Sequence, residues 1–440
     1  MKKVLLLGAG LVTRPLTRYL LDRGGIELTV ASRTVGKAEK LIEDHTNGRA
    51  LALDVTKEED KLAGLVKQSD LVISLLPYVH HVKVADLCIG HKKLMVTTSY
   101  VSAAMKERDA KAKEAGIIIM NEIGVDPGID HMSAMKIIHD VKNRGGKIVS
   151  FKSYCGGLPA PESNTNPLGY KFSWSPRGVL LAAKNPARYM EDGKEVNISS
   201  RDLFAHFHIL RVKDTGVFEA YPNRDSLPYM ELYGLQGCPT MSRWTLRNVT
   251  HCVSWKQMVD MELLSENEMD LKGTTYKDFF VKMCGLTPDT CPVDTPEERP
   301  DTGEYSLTMH KLDWLGLLGN DPIPMEKAAP IDVIAGLMME KMQYKPGERD
   351  MLVLHHHFIA EFPERKENIT STMVDFGIPG GDSSMARTVS LPAAIATALI
   401  LDGKITRRGV VIPVTPDIYE PVLAELKTLG IECKEQVKAM

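Results

Sequence analysis

The sequence predicts an α/β protein built on a doubly wound parallel sheet, with further α/β structure in a second domain. Three observations carry this reading. The apolar run Val4 to Leu7 breaks at Gly8-Ala9-Gly10 and restarts through Leu11 and Val12 with helical spacing, as a strand, a phosphate turn and a helix would. Strand-like and helix-like segments then alternate as far as Met120, the pattern of a parallel sheet with crossover helices. At 440 residues the chain exceeds what one core fills, and its 43% hydrophobic residues suffice to bury two or three domains.

In the first turn Gly8 allows the tight bend and Gly10 lets the backbone approach a pyrophosphate. The free amides and dipole of the following helix favour that anion. Thr13 stands where the dinucleotide fingerprint has its third glycine. A bare G-x-G does not by itself separate a dinucleotide turn from an ordinary βα turn. The segment that follows argues for the former. Ile26 to Ser32 reads as a second strand, and at its end NAD-selective folds place an acid on the adenosine ribose. This chain has Ser32-Arg33-Thr34 there, with Lys37 one turn on, groups suited to a 2′-phosphate. NADP is favoured over NAD, the alternative being that Arg33 is a solvated surface arginine.

Ala50 to Leu53, Leu71 to Leu75, Leu94 to Thr97 and Ile117 to Met120 read as further strands, with helices near Glu59 to Gln68, from His80, and from Ser102 to Ala115. About six strands make a Rossmann-type domain over residues 1–125. In such an open sheet the strand ends line the ligand crevice, here Asp54-Val55, Leu76-Pro77 and Thr98-Ser99-Tyr100.

Asn121 to His131 is turn chemistry of the kind found at a hinge. Asp126, Asp130 and His131 are candidates for catalysis, although Asp before Pro and Asp near a helix start are also ordinary turn and capping choices. Capping is the better reading for Asp130. Asp126, between Val125 and Pro127, lies just past the last strand and faces the crevice. A helix from His131 to Arg144 and a strand from Lys147 to Ser153 then lead into Tyr154 to Ser163, a loop shaped by two glycines and two prolines that carries Cys155.

A net charge of −3 with 25% charged residues supplies no basic surface for nucleic acid or anionic membranes. Met1-Lys2-Lys3 runs directly into the first strand, and no uninterrupted apolar stretch reads as a bilayer span, so a cytoplasmic enzyme is expected. Seven scattered cysteines without C-x-x-C fit reduced thiols. The run His355-His356-His357 invites a metal reading, but consecutive strand residues face opposite ways and cannot share one ion, so no metal is assigned.

Several stretches together resemble the saccharopine reductase family, the NADP-dependent, glutamate-forming saccharopine dehydrogenases of lysine metabolism. They are Thr97 to Ser102, Tyr154 to Ser163, Asn166 to Gly178, Tyr221-Pro222-Asn223-Arg224-Asp225-Ser226, Gly347 to Asp350 and Gly430 to Glu435. The resemblance runs from end to end and takes in Thr13 and Ser32-Arg33-Thr34. It implies a Rossmann-type domain formed by 1–125 with about 390–440, and a substrate domain over 126–389 with a helical insertion at about 231–345. It implies cofactor contacts from Gly8, Ala9, Gly10, Leu11, Val12, Ser32, Arg33, Thr34, Asp54, Val55, Leu76, Thr98, Ser99, Val125, Asp126, Pro127 and Ser175. It implies saccharopine contacts from Ser99, Tyr100, Asp126, Arg224, Thr245, Leu246 and Arg247.

The implied reaction is hydride transfer from the carbon beside a secondary amine, followed by hydrolysis of the imine to glutamate and 2-aminoadipate 6-semialdehyde. Asp126, Tyr100 and Cys155 are the nearest catalytic candidates, and binding and orientation are the roles expected of them. A carboxynorspermidine- or homospermidine-type dehydrogenase and a non-catalytic cofactor-binding regulator are the alternatives. The Tyr154 to Ser163 block argues against the first, and the intact substrate motifs against the second. No lysine-ketoglutarate reductase segment precedes the domain, so a monofunctional chain is expected. A homodimer stays open.

Overall fold

A computed structural model describes residues 1–285 and 304–440. They fall into two compact units, residues 1–148 with 358–440, and residues 149–357. Cys291 lies outside the described residues; the other six cysteines are free thiols.

The first unit opens with β1 (Lys2–Leu7), α1 (Arg14–Asp22), β2 (Ile26–Ser32), α2 (Val35–Ile42), β3 (Gly48–Ala52), α3 (Glu59–Gln68), β4 (Leu71–Ser74), α4 (His81–His91) and β5 (Leu94–Val96). Two short helices, α5 (Ala103–Lys106) and α6 (Asp109–Glu114), precede β6 (Ile118–Met120) and α7 (Ile129–Asn143). Val4 to Leu7 and Leu71 to Ile73 are buried without a break, because helices cover both faces of a parallel sheet and no polar alternation is needed. The strand order is β3-β2-β1-β4-β5-β6, extended by β17 (Gly409–Val411) beside β6 as a seventh parallel strand. The order reverses beside β1, and all the strand ends discussed above emerge on one edge.

The second unit contains most of β7 (Lys147–Pro159), then α8 (Pro176–Ala182), β8 (Ala187–Glu191), β9 (Lys194–Ile198), β10 (His208–Val212), β11 (Gly216–Pro222), α9 (Pro228–Leu232) and β12 (Thr240–Asn248). A largely helical stretch follows: α10 (His251–Asp260), the two-residue β13 (Met269–Asp270), α11 (Tyr276–Met283), α12 (Glu304–Leu315), β14 (Lys327–Ala328) and α13 (Pro330–Lys341), before β15 (Asp350–Glu361). Its sheet runs β10-β11-β12-β7-β15, with β12 parallel to β7 and antiparallel to β11. In the β15 histidine run, His356 is fully buried while His355 and His357, on the other face, are half-buried.

The first unit closes with β16 (Lys366–Phe376), α14 (Ser384–Leu401), β17, α15 (Pro416–Thr428) and β18 (Lys434–Ala439), β16 pairing antiparallel with β18. From the sequence a final helix is expected over Pro392 to Leu401, and α14 corrects its start. Pro392 lies inside it rather than at its start, because the Ser383 hydroxyl caps the Ala386 amide at 3.0 Å and begins the helix eight residues earlier. Its 18 residues are long and apolar enough to cross a membrane by length and composition, but 83% of them are buried in the protein, where the helix packs on α1 and α15.

The compact units divide the chain at 148/149 and 357/358. Helix α7 stays with the first unit because the loop before it is tied down there: the Asn121 amide donates to the Val411 carbonyl at 2.8 Å and the Glu122 amide to the Ser99 carbonyl at 3.1 Å. His139 on α7 stacks on Tyr419 of α15 and is hydrogen-bonded to its hydroxyl at 2.8 Å.

Candidate active site

The turn after β1 brings Gly8, Ala9, Gly10, Leu11 and Val12 to the ligand edge of the parallel sheet. Gly8 sits at φ 110°, and a Cβ there would lie 2.9 Å from the Leu75 carbonyl oxygen, so the chain itself requires glycine. Gly10 differs, because a Cβ on it would meet nothing within 4 Å. Thr13 compensates for the absent third glycine: fully buried, it accepts the Gly10 amide at 3.0 Å through its hydroxyl and braces the turn from within. Leu11 is exposed across the mouth of the turn. The first amides of α1 lack intrahelical partners, which suits a pyrophosphate.

At the end of β2, Arg33 and Thr34 are exposed and the Ser32 hydroxyl accepts the Thr34 amide at 3.3 Å. Asp54 follows β3, with Val55 buried behind it. Hydrogen bonds from the Thr56 hydroxyl, at 2.6 Å, and the Thr56 amide, at 3.0 Å, hold the Asp54 carboxyl below its ordinary range, with Lys57 and Arg33 adding at longer reach. The fit to a phosphorylated ribose is therefore basic and hydroxylic at β2, and anionic one strand over.

Farther along the edge, the ends of β4 and β5 are joined through His81, which the sequence analysis passed over. Its Nδ1 is 2.9 Å from the Ser74 hydroxyl and its Nε2 is 2.8 Å from that of Ser99, with Thr97 Oγ1 at 3.3 Å. Burial pushes the imidazole down to about 4, so it is neutral at physiological pH and fixes Ser99 without charge. Leu76 and Thr98 are half-buried beside this chain. Tyr100 donates its phenol proton to Asp126 Oδ1 at 2.8 Å, bringing together two of the catalytic candidates.

The loop holding Val125, Asp126 and Pro127 is built on a buried ionisable pair. Glu122 Oε2 lies 2.8 Å from His131 Nε2, and Glu122 Oε1 accepts the Val101 amide at 2.8 Å. Asp130 accepts the Gly128 and His131 amides at 2.6 and 2.8 Å. His131 and Asp130 thus serve the loop, Asp130 from within the first turn of α7 and not from its N-cap, which is Gly128, while Asp126 is left half-exposed at the edge.

In the second unit three neighbouring strands bring Cys155, Thr245 and Tyr221 into register. Gly156 lies against Leu246, where a Cβ would come within 2.6 Å of the Leu246 carbonyl oxygen, so these strands close only around a glycine. Arg247, on β12, is 7% exposed. Its Nη1 donates to the Leu246 carbonyl at 2.8 Å, and its guanidinium carbon lies 5.0 Å from the Tyr170 ring centre and 6.0 Å from that of Tyr221. Its Nε has no hydrogen-bond partner, and it makes no ion pair among the described residues. The groups that act on its charge most strongly are the phenols of Tyr221 and Tyr170 and the thiols of Cys155 and Cys252. A buried guanidinium without a carboxylate is costly, and a site that keeps one is prepared for an anionic ligand.

Arg224 lies exposed in the turn after β11 at φ 55°, its carbonyl accepting the Arg188 amide at 3.0 Å. Ser175 caps α8, its hydroxyl accepting the Gly178 amide at 3.2 Å. Neither Tyr170 nor Glu122 is singled out as a site residue by the sequence alone. For Tyr170 a signal existed, since it falls inside the motif from Asn166 to Gly178.

A dinucleotide turn at the ends of a doubly wound sheet, carried in one chain with a buried, unpaired guanidinium on a second sheet, defines a two-domain nicotinamide-dependent oxidoreductase. The comparisons give the family. Residues 4–120 match the saccharopine dehydrogenase NADP binding domain and residues 124–431 the saccharopine dehydrogenase C-terminal domain. The chain belongs to the saccharopine dehydrogenase family.

The saccharopine dehydrogenase [NADP(+), L-glutamate-forming] of Pyricularia oryzae is 43% identical, the alignment covering 100% of this chain and 99% of that protein. The enzyme of the same name from Saccharomyces cerevisiae is 41% identical over 100% of both chains. The apo structure of histidine-tagged, L-Glu-forming saccharopine dehydrogenase from Saccharomyces cerevisiae superposes with a TM-score of 0.90 at 40% identity, covering 100% of each chain. A homospermidine synthase from Legionella pneumophila, at a TM-score of 0.59 and 10% identity, shares the fold alone.

Proposed function

We propose that this protein is an NADP-dependent saccharopine dehydrogenase of the L-glutamate-forming type, interconverting saccharopine and water with L-glutamate and 2-aminoadipate 6-semialdehyde. The observation that carries this reading is likeness over the whole chain, at 41–43% identity, to enzymes of that name. The direct test is to give the purified protein saccharopine and NADP, following NADPH and glutamate. Both should appear together, and the reverse condensation should also run. Turnover of a polyamine precursor with none of saccharopine would overturn it.

In this reading NADP, held by the turn after β1 and the end of β2, would supply the acceptor for a hydride from the carbon beside the secondary amine. The chain supplies binding, orientation and proton handling. Gly8 to Val12 and the start of α1 receive the pyrophosphate, and Ser32, Arg33 and Thr34 the 2′-phosphate. Asp54, Val55, Leu76, Thr98, Ser99, Val125, Asp126, Pro127 and Ser175 complete the cofactor contacts. Arg247 and Arg224 take carboxylates of the substrate, since a guanidinium matches a carboxylate with two parallel donors. Ser99, Tyr100, Asp126, Thr245 and Leu246 are the other substrate contacts. Asp126, held by the Tyr100 phenol, and Cys155 bind and orient the substrate amine against the cofactor, with no single indispensable base among them. The functional boundary then falls at 125/126, with about 390–440 returning to the cofactor domain.

Arg33→Ala should raise the KM for NADP and leave that for NAD nearly unchanged, because only NADP carries the lost partner. The discrimination should shrink by roughly 1.5–3 kcal/mol, the scale of a hydrogen bond to a charged group. Steady-state kinetics with both cofactors on one preparation cancel general damage to the fold. Equal losses with both would show that Arg33 does something else. The reading also carries a small-molecule substrate, no nucleic-acid or membrane partner and a cytoplasmic location, which cell fractionation would check.

A further inference from the structure

We propose that Tyr170 is a specificity-determining residue of the substrate site, its phenol hydroxyl donating to the same carboxylate that Arg247 receives. The proposal rests on the reading of Arg247 given above and adds a residue that the family resemblance did not assign.

Tyr170 lies in the stretch from Asn166 to Gly178, of which only Ser175 was given a role. Its ring faces the Arg247 guanidinium at 5.0 Å and meets Phe172 edge-on at 5.6 Å, which leaves the ring little freedom. The residue is 2% exposed, and its hydroxyl proton finds no acceptor among the described residues. The Trp174 indole acts on the phenol through hydrogen bonding, but an indole only donates, so the phenol proton gains no acceptor from it. Asp350 is close enough to raise the phenol pKa and Tyr344 is electrostatically coupled to it, yet neither takes the proton in a hydrogen bond.

Arg247 Nε is the second unpartnered buried donor at this place. Two stacked residues therefore present an N–H and an O–H, both desolvated and both lacking an acceptor. Native interiors rarely leave such groups unmatched, and the ligand that matches them is rich in acceptors and negatively charged. A carboxylate meets both demands. Burial raises the phenol pKa, so Tyr170 keeps its proton and remains a donor throughout the neutral range.

The test uses Tyr170→Phe, which removes the hydroxyl and nothing else. Saccharopine is titrated calorimetrically into the enzyme–NADPH complex, which cannot turn over. Its affinity should fall about tenfold or more, the loss expected for one hydrogen bond to a charged group. NADPH affinity should not change, and the thermal midpoint should nearly hold, because the phenol proton loses no acceptor among the described residues. A tyrosine kept for structure gives the opposite pattern, a lower midpoint with unchanged saccharopine affinity, and that result would overturn the proposal. Arg247→Met, run in parallel, separates the two readings. If it weakens saccharopine and Tyr170→Phe does not, only the role of Tyr170 fails. If neither variant weakens saccharopine, the carboxylate site itself is wrong.

Discussion

Arg247→Met is expected to weaken saccharopine binding by roughly thirtyfold or more while leaving the folded protein as stable as before, or more so. The affinity loss follows from removing one partner of a desolvated charged pair, about 2–5 kcal/mol. The stability effect has the other sign for a physical reason. In the free protein this guanidinium is 7% exposed, donates to one carbonyl at 2.8 Å and faces two phenol rings, but has no carboxylate partner among the described residues. A methionine of similar length avoids most of the cost of desolvating a charge. Calorimetric titration of saccharopine and a thermal scan of the same samples check both halves. A lower midpoint together with unchanged affinity would make Arg247 a structural residue and remove the substrate anchor from the second unit.

The two glycines of the first turn should respond differently to one methyl group. Gly8→Ala is expected to cost about 2–6 kcal/mol of stability, because φ 110° is strained for any other residue and the new Cβ would sit 2.9 Å from the Leu75 carbonyl oxygen. Gly10→Ala should leave the fold intact, since nothing lies within 4 Å of that Cβ. Its effect should appear only with the cofactor, as a loss of NADP affinity of about tenfold, the scale of one overpacked contact. Denaturant unfolding and NADPH fluorescence titration distinguish the two. Full cofactor affinity in Gly10→Ala would mean that the pyrophosphate does not approach this turn.

Much of the first unit was legible because its signals are local. Continuous apolar runs such as Leu71 to Ile73 mark strands covered on both faces, and Gly8 marks a turn that no other residue can make without strain. Helix α14 was half legible. Pro392 reads as a helix start, yet the cap that begins the helix is Ser383, and a proline inside a helix is tolerated where packing on α1 and α15 supports it. Asp130, expected as a cap, instead lies in the first turn of α7 behind the N-cap Gly128, where its carboxylate accepts the Gly128 and His131 amides.

By itself the sequence determined the doubly wound sheet, the turn that suits a pyrophosphate, the basic and hydroxylic end of β2 and, through its longer motifs, the family. These depend on residue type at fixed short spacing, where glycine geometry and apolar periodicity act directly. Only the tertiary structure decided that His81 joins Ser74 to Ser99, that Glu122 and His131 brace the loop before Asp126, and that Arg247 lies over the Tyr170 ring with no carboxylate partner among the described residues. Those facts depend on burial and on partners up to 77 residues apart along the chain. A side chain's charge, tautomer and unmet hydrogen bonds are set by what packs around it, and no local pattern records that.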